Sequence, residues 1–292
     1  MLLKKIKNIV ITIDNKFLKS LIIDTYLKLK YFFKIKRAYA SIGKINIEKK
    51  RKHTLNKELL ISLTSYSKRF RTLPLVLYSL RNQSILPDKI EVWIEENDKS
   101  LLPDKIYNLK DVKIKICENG LYSYKKIIPS LREDDNRFIA TFDDDIIYPE
   151  NSLEALILKS KKYPNDIIAN RIHEIKLKNS LPDSYDKWEK NFLGENDLSF
   201  FTSGGGTLFP PKCFYKDIFN KKSFMELCPS ADDIWLNWMA KLNDKKIRHS
   251  GIETKYTLIK VIKSGLWKKN VKQNFNDVQI KRIIEKYGFP YK

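Results

Sequence analysis

The sequence has few cysteines and no long uninterrupted apolar segment. Its three cysteines, Cys117, Cys213 and Cys228, form no CxxC pair. This spacing argues against a disulfide framework or a zinc site and favours buried thiols in a reducing compartment. Residues 9–29, the most apolar stretch near the start, contain five charged side chains and therefore predict no membrane-spanning helix. The basic start also lacks the apolar region and cleavage site of a signal peptide, so we expect a cytoplasmic protein.

Acidic residues are far fewer than basic ones. The chain has 56 lysines and arginines against 35 aspartates and glutamates, a formal net charge of +21. Such a charge fits nucleic-acid binding, contact with an anionic membrane surface, or a composition generally rich in Lys, Ile and Asn. Lysine is scattered along the whole chain and no nucleic-acid-binding motif is visible. We therefore expect no specific nucleic-acid partner.

The chain divides near residue 55 into a basic, amphipathic helical extension (1–55) and a larger domain (56–292). In the larger domain, short apolar runs alternate with helical patterns, which is typical of an α/β domain with a mostly parallel sheet. The predicted strands are residues 59–63, 90–94, 112–117, 138–142 and 167–169. The predicted helices are residues 74–82, 124–131, 150–161, 231–242 and 278–287, with a loop at 179–197 and a glycine-containing segment at 200–209.

The N-terminal extension has an amphipathic pattern of its own. On a helix, one broad face would carry Leu18, Leu21, Ile22, Tyr26, Leu29, Phe32 and Phe33. The cations beside this face would be Lys16, Lys19, Lys30, Lys34 and Arg37. Such a helix can lie on an anionic membrane, which would place the protein peripherally on the inner face of the cell membrane. It can equally pack its apolar face on the larger domain, and the sequence leaves both interpretations open.

Three consecutive acids, Asp143, Asp144 and Asp145, follow the apolar run 138–142. In an open α/β sheet, ligands bind beyond the carboxyl ends of the strands, and carboxylates there suit Mg²⁺ or Mn²⁺. In an extended backbone, Asp143 and Asp145 would point the same way and Asp144 elsewhere. The sequence therefore predicts a metal site at Asp143 and Asp145. The structural alternative is a turn, where aspartate bonds its own backbone.

Three more segments precede these acids: 61–69 (ISLTSYSKR), 77–84 (LYSLRNQS) and 89–96 (KIEVWIEE). Together with the acids they resemble glycosyltransferase family 2 and related GT-A enzymes, including bacterial polysaccharide glycosyltransferases, over roughly residues 59–149. The resemblance implies a GT-A-type, Rossmann-like fold with a mostly parallel sheet flanked by helices.

The resemblance also implies roles for single residues. Thr64, Ser65 and Tyr66 would line the nucleotide pocket, with Arg69 near the base or the diphosphate. Glu95 stands where such enzymes usually carry an aspartate that contacts uracil or ribose, although the run here is EEND and not the common DDGS. The full set of predicted nucleotide-sugar-binding residues is Thr64, Ser65, Tyr66, Arg69, Glu95, Asp144, Gly205 and Gly206.

The second half of the chain carries a glycine run, 203–207 (SGGGT), and an acidic pair, Asp232 and Asp233. Glycines let the backbone approach a ligand closely, or they serve a loop that needs positive φ. In the enzymes that this chain resembles, an acidic pair that opens a helix after such a loop commonly holds the catalytic base. This implies Asp233 as the base, with Asp232 as the alternative. The structural alternative is a capping box with Ser230 as N-cap. His249 would either complete the metal shell or be structural.

The resemblance implies a metal-dependent, inverting transfer from a nucleotide-diphosphate donor, a UDP-sugar, to a glycan or lipid-linked acceptor in cell-surface polysaccharide synthesis. Mn²⁺ or Mg²⁺ would neutralise the diphosphate, and Asp233 would deprotonate the acceptor hydroxyl. A sugar nucleotidyltransferase is one alternative, but residues 64–70 lack the glycine-rich loop that normally follows its first strand. A basic nucleic-acid-binding protein is the other, although the acid triplet would repel phosphates.

Overall fold

The structure, a computed structural model, describes residues 16–41, 50–253, 256–259 and 274–291. Within these ranges the helices are α1 (Lys16–Ser41), α2 (Leu73–Arg81), α3 (Asp104–Tyr107), α4 (Ile128–Glu133), α5 (Ser152–Lys162), α6 (Lys221–Leu227), α7 (Asp232–Lys241) and α8 (Phe275–Tyr287). The strands are β1 (Arg51–Lys52), β2 (Leu59–Thr64), β3 (Ile85–Leu86), β4 (Lys89–Glu95), β5 (Val112–Cys117), β6 (Phe138–Thr141), β7 (Ile146–Ile147), β8 (Ile167–Ala169), β9 (Ile172–Glu174), β10 (Leu177–Lys178), β11 (Leu181–Pro182), β12 (Ser199–Phe201), β13 (Thr207–Phe209), β14 (Ile247–His249) and β15 (Thr257–Leu258). No helix in the described ranges combines the length and the apolar character that crossing a bilayer requires.

Seven of these strands form the central sheet, in the order β14–β8–β13–β6–β2–β4–β5. Neighbouring strands are parallel except at β13, which runs antiparallel to both β6 and β8. Parallel neighbours need long crossover connections, which are usually helical. The sheet is therefore of the mostly parallel kind that the alternation of apolar runs and helical patterns predicts.

The apolar core is divided between the two faces of this sheet. Along β2, Leu59, Ile61 and Leu63 belong to one buried cluster and Leu60 to the other, as expected when successive strand residues point to opposite faces. The first cluster includes residues of α2, α3, α5 and the last turns of α1, and the second includes residues of α4, α6, α7 and α8. Helices thus flank both faces, and the predicted α/β fold with a mostly parallel sheet flanked by helices is confirmed.

Residues 124–131, predicted as one helix, are divided between two shorter helices. The structure has a 3-10 helix, Tyr122–Lys126, followed by the separate helix α4. The physical reason is Pro129, which lacks an N–H and would interrupt a continuous helix but fits the first turn of a new one. Lys125 and Lys126 lie in the 3-10 helix and are both buried.

The N-terminal helix α1 packs on the larger domain through its last turns. Ile35 and Ala38 are buried in the same cluster as residues of α2, whereas Leu29 and Phe33 are 54% and 65% exposed. The exposed cations of this part of the helix are Lys34, Lys36 and Arg37. α1 therefore combines a packed end with an exposed apolar and cationic surface. Residues 1–15 and 42–49 of the predicted extension lie outside the described residues.

The segments that carry the predicted site residues lie at one edge of the central sheet. The carboxyl ends of β2, β4, β6, β8 and β14 lie at this edge, because these strands are parallel. Antiparallel β13 begins at the same edge, since its first residue Thr207 is paired with Thr141 at the end of β6. The acidic residues after β6 and the glycine run before β13 are therefore neighbours in space.

Candidate active site

The three consecutive aspartates lie in a turn. β6 ends at Thr141, and the segment 142–145 leaves the strand and turns before β7 begins. Asp144 and Asp145 both form ion pairs with Arg69, whereas Asp143 forms one with Lys126. The extended backbone expected through these acids is therefore wrong, because the chain turns at Asp144 and Asp145.

Asp144 is buried and held by the loop that follows β2. Ser65 Oγ donates a hydrogen bond to Asp144 Oδ2 at 2.7 Å, and Arg69 Nη1 bonds Asp144 Oδ1. Burial raises the pKa of Asp144 above its usual value, and the Arg69 charge and the Ser65 hydrogen bond oppose this rise. The Arg69 guanidinium also lies 5.5 Å from the ring centroid of Tyr66. The structure thus brings three of the predicted nucleotide-pocket residues together beside the acidic turn.

A buried lysine lies between the acidic turn and the acidic pair of α7. Lys126 Nζ is 2.8 Å from Asp143 Oδ1 and 3.2 Å from Asp232 Oδ2. Burial alone would lower the pKa of Lys126, but the charges of the nearby aspartates outweigh burial and raise it above its usual value. For Asp143, burial favours a higher pKa, and Lys126 followed by Arg171 brings the pKa below its usual value. Lys126 is therefore a charged lysine that joins two acidic segments.

Asp143 and Asp145 are carboxylates that repel each other. Burial and then the charge of Asp143 raise the pKa of Asp145 to about 6, against the opposing charge of Arg69. Both side chains stay partly accessible, with 33% of Asp143 and 36% of Asp145 exposed. Two accessible carboxylates of this kind fit Mg²⁺, which is commonly held by one or two carboxylates together with substrate phosphates and water.

A metal at this place would need ligands from outside the protein. In the part of the chain that the structure describes, no three His, Cys, Asp or Glu residues are grouped so as to hold a metal ion. Asp143 and Asp145 would supply two oxygen ligands, and the oxygens of a bound phosphate and water would supply the others. The donor set suits a hard cation such as Mg²⁺ or Mn²⁺ and not a soft one.

The glycine run forms a loop whose successive residues contact side chains of the candidate site. Ser203 N and Oγ donate hydrogen bonds to Asp233 Oδ1 at 2.8 and 2.5 Å. A Cβ atom on Gly204 would lie 1.7 Å from Asp143 Oδ2, and one on Gly205 would lie 2.7 Å from the Cβ of Arg171. Consecutive residues of this loop therefore contact Asp233, Asp143 and Arg171.

The predicted ligand-contacting glycines border protein side chains. The space next to Gly205 is filled by Arg171 and by the Tyr256 hydroxyl. Gly206 has a φ of +94°, and a Cβ on it would lie 2.7 Å from Asn170 Nδ2. Glycine is needed at both positions for packing, and at Gly206 also for its left-handed backbone.

Two tyrosine hydroxyls hold the backbone of this loop. The Tyr148 hydroxyl accepts a hydrogen bond from Asp143 N at 2.7 Å and donates one to Gly204 O at 2.6 Å. The Tyr256 hydroxyl donates to Gly205 O at 2.6 Å. Tyr148 therefore fixes the acidic turn and the glycine loop relative to each other, and Tyr256 holds the next residue of the loop.

The acidic pair opens α7, but it does not form the capping box that was the structural alternative. The helix begins at Asp232 with Ala231 as its N-cap residue. Ser230 N and Oγ bond Gln279 Oε1, and the Asp233 carboxylate is held by Ser203. The capping-box interpretation is therefore wrong, because it requires Ser230 as the N-cap.

Asp233 and Asp232 differ in their surroundings. Asp232 is buried and paired with Lys126. Asp233 is partly exposed, and no hydrogen-bond donor among the described residues reaches its Oδ2. Burial and then the charge of Asp232 raise the pKa of Asp233 to about 6. Of the two, Asp233 is thus the carboxylate with an oxygen open to a ligand.

The remaining candidates of the nucleotide half lie at the ends of β2 and β4. Thr64 Oγ1 donates to Trp93 O at 2.8 Å. Glu95 Oε1 accepts from Gly120 N and from the buried Lys125 Nζ, both at 3.2 Å. Glu95 therefore lies at the same edge of the sheet as the acidic turn, and its negative charge is paired with Lys125.

His249 lies away from the aspartates. It ends β14 at the margin of the sheet and is paired with Ala169 of β8, so that β8 and β13 separate it from β6. Its Nδ1 accepts a hydrogen bond from Gly251 N at 3.1 Å. Burial lowers its pKa, and the charges that act on it come from Glu195 and Lys159. The structure does not bring His249 together with Asp143 and Asp145.

Three residues of this site had not been identified from the sequence: Lys126, Tyr148 and Arg171. Lys126 carries no local signal, since lysine is common throughout the chain. Arg171 had a positional signal, because it follows the predicted strand 167–169 by two residues and so comes at the ligand-binding edge of the sheet.

The sequence matches no protein-family model and no curated protein. Among solved structures, the chain is similar to the 2-C-methyl-D-erythritol 4-phosphate cytidylyltransferase IspD of Francisella tularensis, with 10% identity and a TM-score of 0.42 over 76% of this chain and 99% of that one. It is similar to TarS residues 1–349 of S. aureus, with 15% identity and a TM-score of 0.46 over 78% and 65% of the two chains. A 4-diphosphocytidyl-2C-methyl-D-erythritol synthase matches with 10% identity and a TM-score of 0.43 over 78% and 100%. Similarity at this level concerns the general path of the chain and assigns no activity to it.

Proposed function

We propose that the chain is a glycosyltransferase that moves a sugar from a nucleoside-diphosphate donor, a UDP-sugar, to a hydroxyl of a glycan or lipid-linked acceptor. One observation carries the proposal: the Asp233 carboxylate accepts hydrogen bonds from Ser203, and the Asp143 carboxylate packs against the next residue of the same loop, Gly204. A carboxylate suited to accept a proton thus lies beside a carboxylate pair suited to bind a diphosphate through a divalent cation. Transfer of a sugar to a hydroxyl needs both.

The donor side is formed by the acidic turn and the segments beside it. Asp143 and Asp145 would hold Mg²⁺ or Mn²⁺, which would neutralise the diphosphate as it leaves. The Thr64–Arg69 segment and Glu95 lie at the same edge of the sheet and would contact the nucleoside. The neighbouring cations Arg69 and Lys126 form ion pairs with the acidic residues of this side and hold them in place.

On the acceptor side, Asp233 would act as the general base. Its Oδ1 is fixed by Ser203, which leaves Oδ2 to accept the proton of the acceptor hydroxyl. A pKa near 6 makes it a better proton acceptor than an ordinary carboxylate. The acceptor oxygen would bond to the anomeric carbon while the bond from that carbon to the phosphate oxygen breaks. Because attack and departure occur on opposite faces, the anomeric configuration would be inverted.

A panel of nucleotide sugars, each with and without Mn²⁺, tests this proposal. We expect a UDP-sugar to raise the melting temperature in the presence of Mn²⁺ and to be hydrolysed slowly to UDP. Asp145→Ala should abolish both effects, since it removes a hard oxygen ligand. Full transfer by Asp145→Ala without added metal would contradict the metal assignment. A chain that binds no nucleotide sugar of the panel would contradict the proposal as a whole.

A sugar nucleotidyltransferase is the second candidate, and the cations of the site favour it. Arg69, Lys126 and Arg171 all lie around the acidic turn, and several cations would also suit a nucleoside triphosphate. The products separate the two reactions. Incubation with UTP and a sugar 1-phosphate would release pyrophosphate from a nucleotidyltransferase, whereas a glycosyltransferase releases UDP from a UDP-sugar.

For the N-terminal helix, we propose a peripheral contact with an anionic membrane surface, which would suit a lipid-linked acceptor. The exposed apolar side chains of α1 and the exposed cations Lys34, Lys36 and Arg37 support this contact. Ile35 and Ala38 at the packed end of the helix would keep the domain close to the surface.

A further inference from the structure

Arg171 forms no ion pair with any carboxylate among the residues that the structure describes, although its charge helps to lower the pKa of Asp143. It follows β8 by two residues and is partly exposed. Its Nε donates a hydrogen bond to Thr202 Oγ1 at 2.5 Å, and its guanidinium carbon lies 5.6 Å from the ring centroid of Tyr256. Neither Nη atom has a hydrogen bond or an ion pair with any residue that the structure describes. The protein thus orients this guanidinium while leaving its outer edge open.

The other cations of the site differ from Arg171 in this respect. Arg69 is paired with Asp144 and Asp145, and Lys126 with Asp143 and Asp232. Their charges are therefore already used to hold the acidic groups together. A partly buried arginine without such a partner is suited to an anion supplied by a ligand, and its two Nη groups match two oxygens of one phosphate.

The glycine loop determines where this anion would lie. The side chain of Arg171 packs over Gly205, and the Asp143 carboxylate packs over Gly204. Arg171 and Asp143 thus lie against neighbouring residues of one loop, and the charge of Arg171 acts on the Asp143 carboxylate. The Asp233 carboxylate accepts hydrogen bonds from the preceding residue of the loop, Ser203. An anion bound between Asp143 and Arg171 would therefore lie close to Asp233.

We propose that Arg171 binds the β-phosphate of the nucleotide-sugar donor. This inference rests on the proposed glycosyltransferase function. As the acceptor oxygen bonds to the anomeric carbon, the bond from that carbon to the β-phosphate oxygen breaks, and its electron pair stays on that oxygen. The Nη groups of Arg171 donate hydrogen bonds to the β-phosphate, whose negative charge grows in this step. Asp233 accepts the acceptor proton, so that protons and electrons balance.

The test compares UDP with UMP, which lacks the β-phosphate. Both nucleotides are titrated with Mn²⁺ into the full chain, into Arg171→Met and into Arg171→Lys. Loss of a charge-assisted contact should weaken UDP binding by Arg171→Met roughly 10- to 100-fold and leave UMP binding nearly unchanged. The rate of transfer at saturating donor should fall by about 10²-fold. Arg171→Lys should be intermediate, because lysine keeps the charge and loses the fork of donors.

Arg248→Met is the matched control. Arg248 is also partly exposed, but it is paired with Asp166 and Glu195, away from the glycine loop. It should bind UDP and UMP like the unchanged chain. Equal weakening of UDP and UMP in Arg171→Met, or unchanged UDP binding with a raised acceptor KM, would overturn the inference and leave the proposed function standing. If the unchanged chain binds no nucleoside diphosphate, the proposed function fails, and the inference fails with it.

Discussion

Replacing Asp233 by asparagine separates proton transfer from structure at the start of α7. The side-chain oxygen that remains in Asp233→Asn can still accept both hydrogen bonds that Ser203 donates. The amide group occupies the place of the second oxygen, which has no hydrogen-bond donor next to it among the described residues. The variant therefore keeps its contacts and loses one negative charge together with the ability to accept a proton.

Activity and stability should change in opposite directions. General-base assistance is worth about 10²–10⁴-fold in rate, so kcat should fall by a factor in that range. Burial and the charge of Asp232 raise the pKa of Asp233 to about 6, which means that its ionised form destabilises the fold. At roughly 1.4 kcal/mol for each pKa unit, ionised Asp233 lowers the free energy of unfolding at neutral pH by on the order of 1–3 kcal/mol. The favourable effect of an acid at a helix N-terminus is smaller, about 0.3–1 kcal/mol.

The sign of the pH dependence follows from the raised pKa. A carboxyl group whose pKa is raised on folding contributes stability that is fully present below its unfolded pKa of about 3.9. That contribution is lost as the pH rises through about 6, the pKa of Asp233 in the folded chain. The asparagine has no such titration. The melting temperature of Asp233→Asn should therefore exceed that of the unchanged chain at pH 7.5, and the difference should shrink toward pH 4.

Three measurements on the same purified variant test this reasoning: the transfer rate, a UDP-sugar titration, and melting curves at pH 4.5 and 7.5. Asp232→Asn is the matched control. It should lower stability, because it leaves the buried Lys126 with one partner fewer. A normal rate in Asp233→Asn would refute the assignment of the base. Loss of donor binding together with rate would make Asp233 a sugar ligand, and a lowered melting temperature at pH 7.5 would refute the electrostatic argument.

Three further substitutions have outcomes that the structure predicts. Gly204→Ala would put a Cβ atom 1.7 Å from Asp143 Oδ2 and should lower turnover about 10²-fold by displacing that carboxylate. Gly251→Ala has open space beside it but a left-handed φ of +91°, so this control should lose stability and leave the turnover of the folded protein unchanged. Tyr148→Phe should cost about 1–3 kcal/mol of stability, measured by denaturant unfolding, because the buried backbone groups that its hydroxyl bonds lose a partner. Phe33→Asp should weaken binding to vesicles containing an anionic lipid and leave turnover of a soluble acceptor unchanged; equal vesicle binding would contradict the membrane contact.

Most strands of the sheet could be predicted from the sequence because they are short segments with either a continuous or an alternating apolar pattern. Val112–Cys117 and Ile167–Ala169 agree with their predicted ends, and the strands beginning at Leu59 and Phe138 differ by one residue at their carboxyl ends. A buried strand such as Ile167–Ala169 is a continuous apolar run, and the edge strand Val112–Cys117 alternates apolar residues with lysines. Both patterns can be recognised in the sequence without knowledge of the neighbouring strands. The antiparallel direction of β13 was not visible, because direction is set by the partner strands and not by the apolar pattern.

The acidic residues of the candidate site could be identified from the sequence, and its cationic residues could not. Asp143 stands out because it belongs to three consecutive acids directly after an apolar run, and Asp233 because it belongs to an acidic pair at the start of a predicted helix. Lys126 and Arg171 do not stand out among 56 lysines and arginines. Lys126 is distinguished by its burial between two carboxylates, and Arg171 by having no ion pair with any described carboxylate. Both properties arise only when distant segments fold together.

Lys126 explains how acids from two distant segments can share one buried place. Asp143 follows β6 and Asp232 opens α7, and without the lysine between them their charges would repel each other across a poorly solvated gap. A buried ion pair of this kind is weak support for stability, since apolar residues of the same volume often stabilise as well or better. The ion pairs of Lys126 instead fix the distance between the carboxylates proposed to bind the sugar donor and the segment that carries Asp233. The raised pKa values of Asp145 and Asp233 show that the ionised forms of these carboxylates are unfavourable where they lie. Carboxylates with pKa values shifted in this way are typical of sites that bind and convert a ligand.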